Sequence, residues 1–202
     1  MTRFSIIRHL IPLVLLLCTD IQAATTVIKA GYVLDVQSGK WQENRLIFID
    51  DERISSIQSA SAAIPDGATV IDLSKQYILP GFMDMHTHLM GYLDKNFFAG
   101  LFQSPHRAVI GGVVNAEKTL MAGFTVVRDV GSPDYMDVAL RNSINAGEVP
   151  GPRIAASGPA LGITGGHCDN NALNHSFKSK ADGVADGPWA VREMVRKNVK
   201  YG

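Results

Sequence analysis

The chain has 202 residues, of which 46% are hydrophobic, 19% are charged and 7% are aromatic. This composition excludes a disordered or collagen-like chain and provides enough apolar side chains for one sizeable hydrophobic core. The 19 basic and 19 acidic side chains give a formal net charge of zero, which excludes a broad electrostatic surface for nucleic acid or an anionic membrane.

Residues 1–23 have the layout of a secretory signal peptide. Two arginines precede the apolar run Leu10–Cys18, and a polar stretch ends at Ala23. The run has nine residues, whereas a membrane-spanning helix needs about twenty, so no membrane span is expected. We predict cleavage after Ala23 and a secreted or periplasmic protein. Cys168 is then the single cysteine, so we expect no internal disulfide.

Residues 24–78 are predicted to form a small antiparallel β-sandwich-like unit. Short runs of β-branched and aromatic residues alternate with turn-forming residues at a spacing typical of hairpins. The predicted strands are Thr26–Ala30, Tyr32–Asp35, Arg45–Ile49 and Arg53–Ile57. Gly31 is one of the predicted turn positions. Because the edges of so small a sheet would be exposed, we expect this unit to dock onto a larger one.

Residues 79–202 show the alternation of apolar strands and amphipathic helices that is typical of parallel βα units. The predicted strands are Ile78–His88, Phe124–Val130 and Arg153–Ser157. The predicted helices are Pro105–Met121, Tyr135–Asn145 and Pro188–Tyr201. Helical spacing places Met121 on the apolar face of the first helix and Val199 on that of the third. The connection Pro159–Gly187 is long for a compact domain, and such loops are usually functional.

The end of the first of these strands is the strongest candidate for a chemical site. Asp84, His86 and His88 are spaced by two residues, so their side chains are expected on one face of the strand. Two imidazoles in this arrangement can converge on a divalent ion such as Zn²⁺, while Asp84 orients a histidine without binding the metal. Co²⁺, Ni²⁺ and Fe²⁺ also accept imidazole ligands. A chance His-x-His pair that is only hydrogen-bonded is the alternative.

Four segments of the sequence carry a further signal. They are Ile78–Leu89, Ala122–Gly131, Gly151–Ile154 and Gly162–His167. Together they resemble the amidohydrolase superfamily, and within it the imidazolonepropionase-like branch that includes Xaa-Pro and Xaa-Lys/Arg dipeptidases. The resemblance implies an α/β protein that contains the N-terminal part of a TIM-type (β/α)8 barrel, about three βα units. The 202 residues fall short of the roughly 250 that a complete barrel usually needs.

The same resemblance implies a metal-dependent hydrolase with two divalent ions, in which metal-activated water attacks an amide carbonyl. His86 and His88 correspond to the pair that binds the more buried ion, and the expected substrates are dipeptides or N-acyl amino acids. A carboxylated lysine, two further histidines and an aspartate base are expected beyond Gly202. We therefore expect the chain to be the N-terminal portion of such an enzyme and to be inactive alone. A metal-binding or interaction domain without catalysis is the alternative.

Other residues are candidates for supporting roles. His167, in the glycine-rich loop, and Tyr92, just after the histidine pair, are candidates for substrate binding, with structural hydrogen bonding and packing as the respective alternatives. Arg128 and Asp129 end a strand and are expected to brace the site. Cys168 is expected to be a small loop residue rather than a nucleophile. The sequence leaves the oligomeric state open.

Overall fold

The computed structural model describes residues 25–91, 102 and 104–202. The chain divides into two compact units, one that ends at Leu79 and one that begins at Pro80. The predicted leader, residues 1–23, and the candidate Tyr92 lie outside the described residues. Among the helices of the described part, none is long and apolar enough to cross a membrane.

The first unit contains a four-stranded sheet. Its strands are β1 (Thr25–Asp35), β2 (Lys40–Asp50), β3 (Arg53–Ser59) and β4 (Thr69–Ile78), in the spatial order β3-β2-β1-β4. The pairs β1–β2 and β2–β3 are antiparallel, but β4 runs parallel to β1. The prediction of an antiparallel, sandwich-like unit is therefore wrong, since the described residues of this unit form a single mixed sheet. Hairpin signals predict pairs of consecutive strands, whereas β4 reaches β1 through a crossover.

Gly31 lies inside β1 rather than in the predicted turn. The register of β1 against β4 shifts between Ala30 and Tyr32, and a side chain at Gly31 would overlap the carbonyl group of Ser74 on β4. Glycine is required here because the two backbones approach closely. Apolar side chains occupy both faces of the sheet. One face packs Val27, Leu46 and Phe48 against Ala62, Ile64 and Ala68, and the other contains Ala30, Val33 and Ile47.

The second unit alternates strands and helices. In chain order it contains β5 (Phe82–Thr87), α1 (Pro105–Met121), β6 (Phe124–Asp129), a 3₁₀ turn (Pro133–Tyr135), α2 (Met136–Asn145), β7 (Arg153–Ala156) and α3 (Gly187–Tyr201). All three strands are parallel, in the order β5-β6-β7. The predicted βα alternation is confirmed, and the chain is a mixed α/β protein. The prediction of one strand from Ile78 to His88 is wrong, because β4 ends at Ile78 and the following Pro-Gly segment separates it from β5.

One hydrophobic core joins α1 and α2 to the β5-β6-β7 sheet. Its buried members are Leu89, Met90, Ala116, Val127, Met136, Leu140 and Ile154. The hydroxyl of Ser104 caps the start of α1, and Gly123, with a φ of +95°, allows the chain to leave α1 and enter β6. The predicted apolar faces are only partly buried: Met121 and Val199 are each 79% exposed. Helical spacing defines a face, but burial also needs a neighbouring element.

Candidate functional site

A cavity of about 460 Å³ lies at the carboxyl ends of the three parallel strands. Its lining comes from the strand ends and the segments that follow them: His86 and His88 at β5, residues 130–133 after β6, and parts of the 159–183 segment after β7. Parallel strands bring their carboxyl ends to one edge of the sheet, which is where βα proteins place ligand sites. The long β7–α3 connection therefore contributes to the cavity.

The predicted ligands His86 and His88 both line this cavity. Their ring centres are 5.5 Å apart, and the ring planes are inclined by 75°. A zinc–nitrogen distance of about 2.0–2.1 Å puts each ring centre about 3.2 Å from a shared ion, so two rings at a tetrahedral angle are about 5.2 Å apart. The observed separation fits two imidazoles that converge on one divalent ion.

A backbone carbonyl orients the ring of His88. Its Nδ1 lies 3.0 Å from the carbonyl oxygen of Gly131, in the turn after β6. A carbonyl oxygen can only accept a hydrogen bond, so we assign the proton of the neutral ring to Nδ1, which donates it. Nε2 of His88 then keeps its lone pair, which is the form in which an imidazole binds a metal.

The carboxylate of Asp129, the last residue of β6, holds the backbone around this bond. It is fully buried and accepts from the backbone N–H of Leu89 at 2.7 Å and of Gly131 at 3.4 Å. Burial raises the pKa of the Asp129 carboxyl, while these backbone hydrogen bonds act in the opposite direction. Arg128 instead donates from Nε to the carbonyl oxygen of Met85 at 2.7 Å. Both residues brace strand ends, as expected, without pairing with each other.

Asp137 of α2 holds the backbone after β7, as Asp129 holds the backbone after β5 and β6. Its carboxylate is fully buried and accepts from the backbone N–H of Ser157 at 3.0 Å and of Gly158 at 2.9 Å. The carbonyl oxygen of Gly158 in turn accepts from the N–H of Ser132 at 3.0 Å, which joins the turns after β6 and β7. Two buried carboxylates therefore fix the ends of all three strands at the cavity.

The β7–α3 connection is itself held by two carboxylates. Asp169 accepts from three backbone N–H groups of this connection, and these bonds, that of Gly165 first, lower the pKa of its carboxyl. Asp186 accepts from the hydroxyl of Thr164 at 2.6 Å, from its N–H at 2.9 Å and from Lys180 Nζ at 3.3 Å. The Thr164 hydroxyl is the main cause that lowers the pKa of Asp186 to about 2. The connection is thus an ordered wall of the cavity.

The structure brings His167 and Cys168 to the same cavity as the histidine pair. Cys168 is a free, half-buried thiol. Asp84 is not among the lining residues, and its Oδ1 accepts from the backbone N–H of His86 at 3.0 Å. The strand pairing shifts register between Asp84 and Thr87, so strict alternation is interrupted before His88.

The donor set around the pair is small. Within the described ranges, no group of three or more His, Cys, Asp and Glu side chains is placed to hold a metal ion. A catalytic zinc site uses three protein ligands and a water molecule. His86 and His88 therefore fit a divalent metal as two of its ligands, and they do not complete a site.

Sequence reasoning missed Gly131 and Asp137. Gly131 acts through its carbonyl oxygen, which no side-chain motif marks. Asp137 had a signal that could have been used, because it is an acidic residue between the apolar Met136 and Val138 of a short helix, and all three are buried. A carboxylate in such a position needs hydrogen-bond donors and therefore indicates a structural contact.

Comparison with known proteins adds to this geometry. The sequence model of the amidohydrolase family matches residues 77–201, which is more than half of the chain. The chain belongs to the amidohydrolase family. A crystal structure of a Xaa-Pro dipeptidase with methionine bound in its active site is similar to this amidohydrolase chain with a TM-score of 0.80 and 34% identity, over 89% of this chain and 45% of that one.

Two other relatives of this amidohydrolase chain are similar over nearly the same range. A prolidase complexed with N-methylphosphonate-L-proline has a TM-score of 0.74 and 32% identity, over 89% of this chain and 45% of that one. Ochratoxinase from Aspergillus niger is 26% identical in an alignment of 208 positions, which covers 93% of this chain and 42% of that protein. The chain therefore spans less than half the length of the relatives it matches. The matched family range contains His86, His88 and the whole cavity lining.

Proposed function

We propose that this amidohydrolase chain is the N-terminal part of a metal-dependent enzyme that hydrolyses amide or peptide bonds in dipeptides or N-acyl amino acids. The observation that carries the proposal is the His86–His88 pair, with ring centres 5.5 Å apart at one cavity. The cavity volume of about 460 Å³ is in the range of small-molecule sites. The similarity to a Xaa-Pro dipeptidase and a prolidase supports this substrate class.

His86 and His88 would hold a divalent ion, for which Zn²⁺ is our expectation, and the complete enzyme would hold two ions. Such an ion lowers the pKa of a water molecule and polarises an amide carbonyl. His88 would hold the ion through Nε2, because Gly131 engages its Nδ1. His167, on the β7–α3 connection, lines the cavity, and this supports a role in donating a hydrogen bond to the substrate. Asp84 orients His86 through its backbone N–H.

We further propose that the second unit is the first part of a (β/α)8 barrel. Three successive parallel strands with helices between them support this architecture. The remaining metal ligands and the general base would then be supplied by sequence outside these 202 residues, and the chain alone would be inactive. The layout of residues 1–23 supports a secreted or periplasmic location.

A non-catalytic metal-binding domain is the second candidate. It is favoured by the small donor set, since the described residues include no group of three or more metal-binding side chains. Sequencing the gene beyond the codon for Gly202 separates the two candidates. An open reading frame that supplies a lysine, two histidines and an aspartate in that order supports the enzyme, whereas a stop codon supports the binding domain.

Zn²⁺ binding to the 202-residue chain tests the histidine pair. We expect His86→Ala and His88→Ala each to weaken binding at least about tenfold in a chelator competition. His106→Ala is the matched control, because His106 is exposed at the start of α1 and should leave the affinity unchanged. An affinity that is the same in all four proteins would contradict the metal site.

The substrate class needs the protein encoded by the complete gene, loaded with Zn²⁺. We expect it to release free amino acids from a panel of dipeptides and N-acyl amino acids, and we expect His86→Ala to abolish this release. Failure of the metal-loaded protein to cleave any member of the panel would contradict the proposed substrate class.

A further inference from the structure

A chain of hydrogen bonds connects a buried carboxylate to the ring of His88. Asp129 Oδ2 accepts from the N–H of Leu89 at 2.7 Å, and Oδ1 accepts from the N–H of Gly131 at 3.4 Å. The carbonyl oxygen of Gly131 lies 3.0 Å from His88 Nδ1. Asp129 therefore holds both the residue that follows His88 and the residue whose carbonyl engages its ring.

We propose that Asp129 is a positioning residue that sets the tautomer of His88 by fixing the Gly131 carbonyl at Nδ1. The proposal rests on the proposed function, in which His88 binds a metal through Nε2. Asp129 does not line the cavity, and it is fully buried, so it acts through backbone groups and not by contact with a substrate.

Gly131 lies close to both the Ala160 side chain and the ring of His88. A Cβ at Gly131 would lie 2.9 Å from the Ala160 side chain and 3.4 Å from Cε1 of His88, so the glycine allows the ring to approach the backbone. The N–H of Gly131 donates to Asp129, whereas the carbonyl of Gly131 belongs to the next peptide group and lies at His88 Nδ1. The N–H of that second group, from Ser132, donates to the carbonyl of Gly158. If Asp129 no longer holds this turn, the carbonyl loses one of the two hydrogen bonds that fix its direction, and the neutral ring can carry its proton on Nε2 instead.

Asp137 provides a matched control within the same unit. It is also fully buried and also accepts from two backbone N–H groups of a cavity turn, those of Ser157 and Gly158. It makes no hydrogen bond to His88, Leu89 or Gly131. Loss of either carboxylate should lower the stability of the unit. Loss of Asp129, which contacts Leu89 and Gly131 directly, should change the ring of His88 more than loss of Asp137, which reaches the Gly131 carbonyl only through Gly158 and Ser132.

The test is a long-range ¹⁵N–¹H NMR spectrum of the histidine rings in the metal-free 202-residue chain at about pH 8, where an ordinary histidine is neutral. We expect the wild type and Asp137→Asn to show the proton of His88 on Nδ1. Asp129→Asn replaces one accepting oxygen by a donating NH₂, and we expect it to shift His88 to a mixture that includes the Nε2–H form. In a parallel titration, Asp129→Asn should weaken Zn²⁺ binding about tenfold or more, with Asp137→Asn within about twofold of wild type.

The outcomes separate this inference from the proposed function. Nδ1–H in Asp129→Asn at the wild-type proportion would overturn the inference, as would an equal change in Asp137→Asn, which would indicate general loosening. The proposed function fails if the protein encoded by the complete gene binds no Zn²⁺, since the histidine pair supplies only two ligands, and the ring spectrum decides the role of Asp129 in either case. If Asp129→Asn does not fold, Asp129→Ser, which is smaller and keeps one acceptor, takes its place with the same expected shift.

Discussion

Gly183 lies directly against the backbone of Ala160. A Cβ added to Gly183 would overlap the carbonyl group of Ala160. The same region contains a short parallel bridge. The N–H of Gly162 donates to the carbonyl of Gly183 at 3.2 Å, and the N–H of Ala185 donates to the carbonyl of Gly162 at 2.8 Å. The two ends of the β7–α3 connection therefore run side by side and complete the cavity wall.

Gly183→Ala should separate these two segments. The added methyl group meets backbone atoms, which cannot move aside as the end of a flexible side chain can. We expect the free energy of unfolding to fall by about 1–3 kcal/mol, which is typical of overpacking a tight site. Chemical denaturation monitored by circular dichroism measures the change. Unchanged stability in Gly183→Ala would show that the contact with Ala160 is looser than described.

Two adjacent glycines of α1 should respond differently to the same substitution. A Cβ at Gly111 meets no atom within 4 Å, whereas one at Gly112 meets the side chain of the buried Met90. Gly111→Ala should raise the free energy of unfolding by about 0.5–1 kcal/mol, because alanine favours a helix more than glycine does. Gly112→Ala should be less stable than Gly111→Ala. Thermal melts of both variants test this order, and the reverse order would contradict the packing around Met90.

Asp137→Ala should destabilise the second unit strongly. The substitution leaves the N–H groups of Ser157 and Gly158 without their acceptor, and the Gly158 site is buried. An unsatisfied buried donor costs about 1–3 kcal/mol, so we expect a loss of about that size in the free energy of unfolding from the Gly158 N–H, and less from the exposed Ser157. Asp137→Asn keeps one accepting oxygen and should lose less. Urea denaturation of both variants provides the measurement, and equal losses would argue against the hydrogen-bond explanation.

The hydrogen bonds to Asp186 should lower the pH at which its carboxyl group titrates. Its carboxyl pKa is lowered from 3.8 to about 2, first by the Thr164 hydroxyl, then by the Thr164 N–H and by Lys180. Because the folded pKa is the lower one, the stabilisation is fully present above about pH 4 and is lost as the pH falls towards 2. The side-chain ¹³C carboxyl shift should report a midpoint near 2.

Thr164→Val is the sharper variant for this titration. It removes the hydroxyl donor and keeps the side-chain shape, so the Asp186 midpoint should move towards 3.8. Lys180→Met should raise the midpoint less, because the contribution of Lys180 is smaller. A larger effect of Lys180→Met than of Thr164→Val would indicate that the ion pair, and not the hydroxyl, lowers the pKa.

The helices and the strands β6 and β7 of the second unit were predictable because their signals are local. The predicted helix at Pro105–Met121 coincides with α1, which has proline at its first position and glycine shortly after its end. Strand β4 was not predicted, since most of its residues are exposed and its parallel partner β1 is distant in sequence. Gly31 was misassigned as a turn because glycine in a sequence does not distinguish a turn from a close approach of two strands.

In the candidate site, too, contacts between residues close in sequence were predictable, and contacts between distant residues were not. His86 and His88 are two residues apart at the end of one strand, so their proximity could be predicted from spacing alone. The bond between His88 and Gly131 joins residues 43 positions apart, and that between Asp137 and Gly158 spans 21 positions. Such contacts depend on how the strands align in the sheet, which a single sequence does not specify.

Asp129 and Asp137 hold the strand ends without using any side chain of the 165–181 segment. That segment can therefore vary in length and composition while the imidazole pair keeps its setting. Related proteins could therefore differ in this segment and bind different molecules while they keep the same histidine pair at the strand ends.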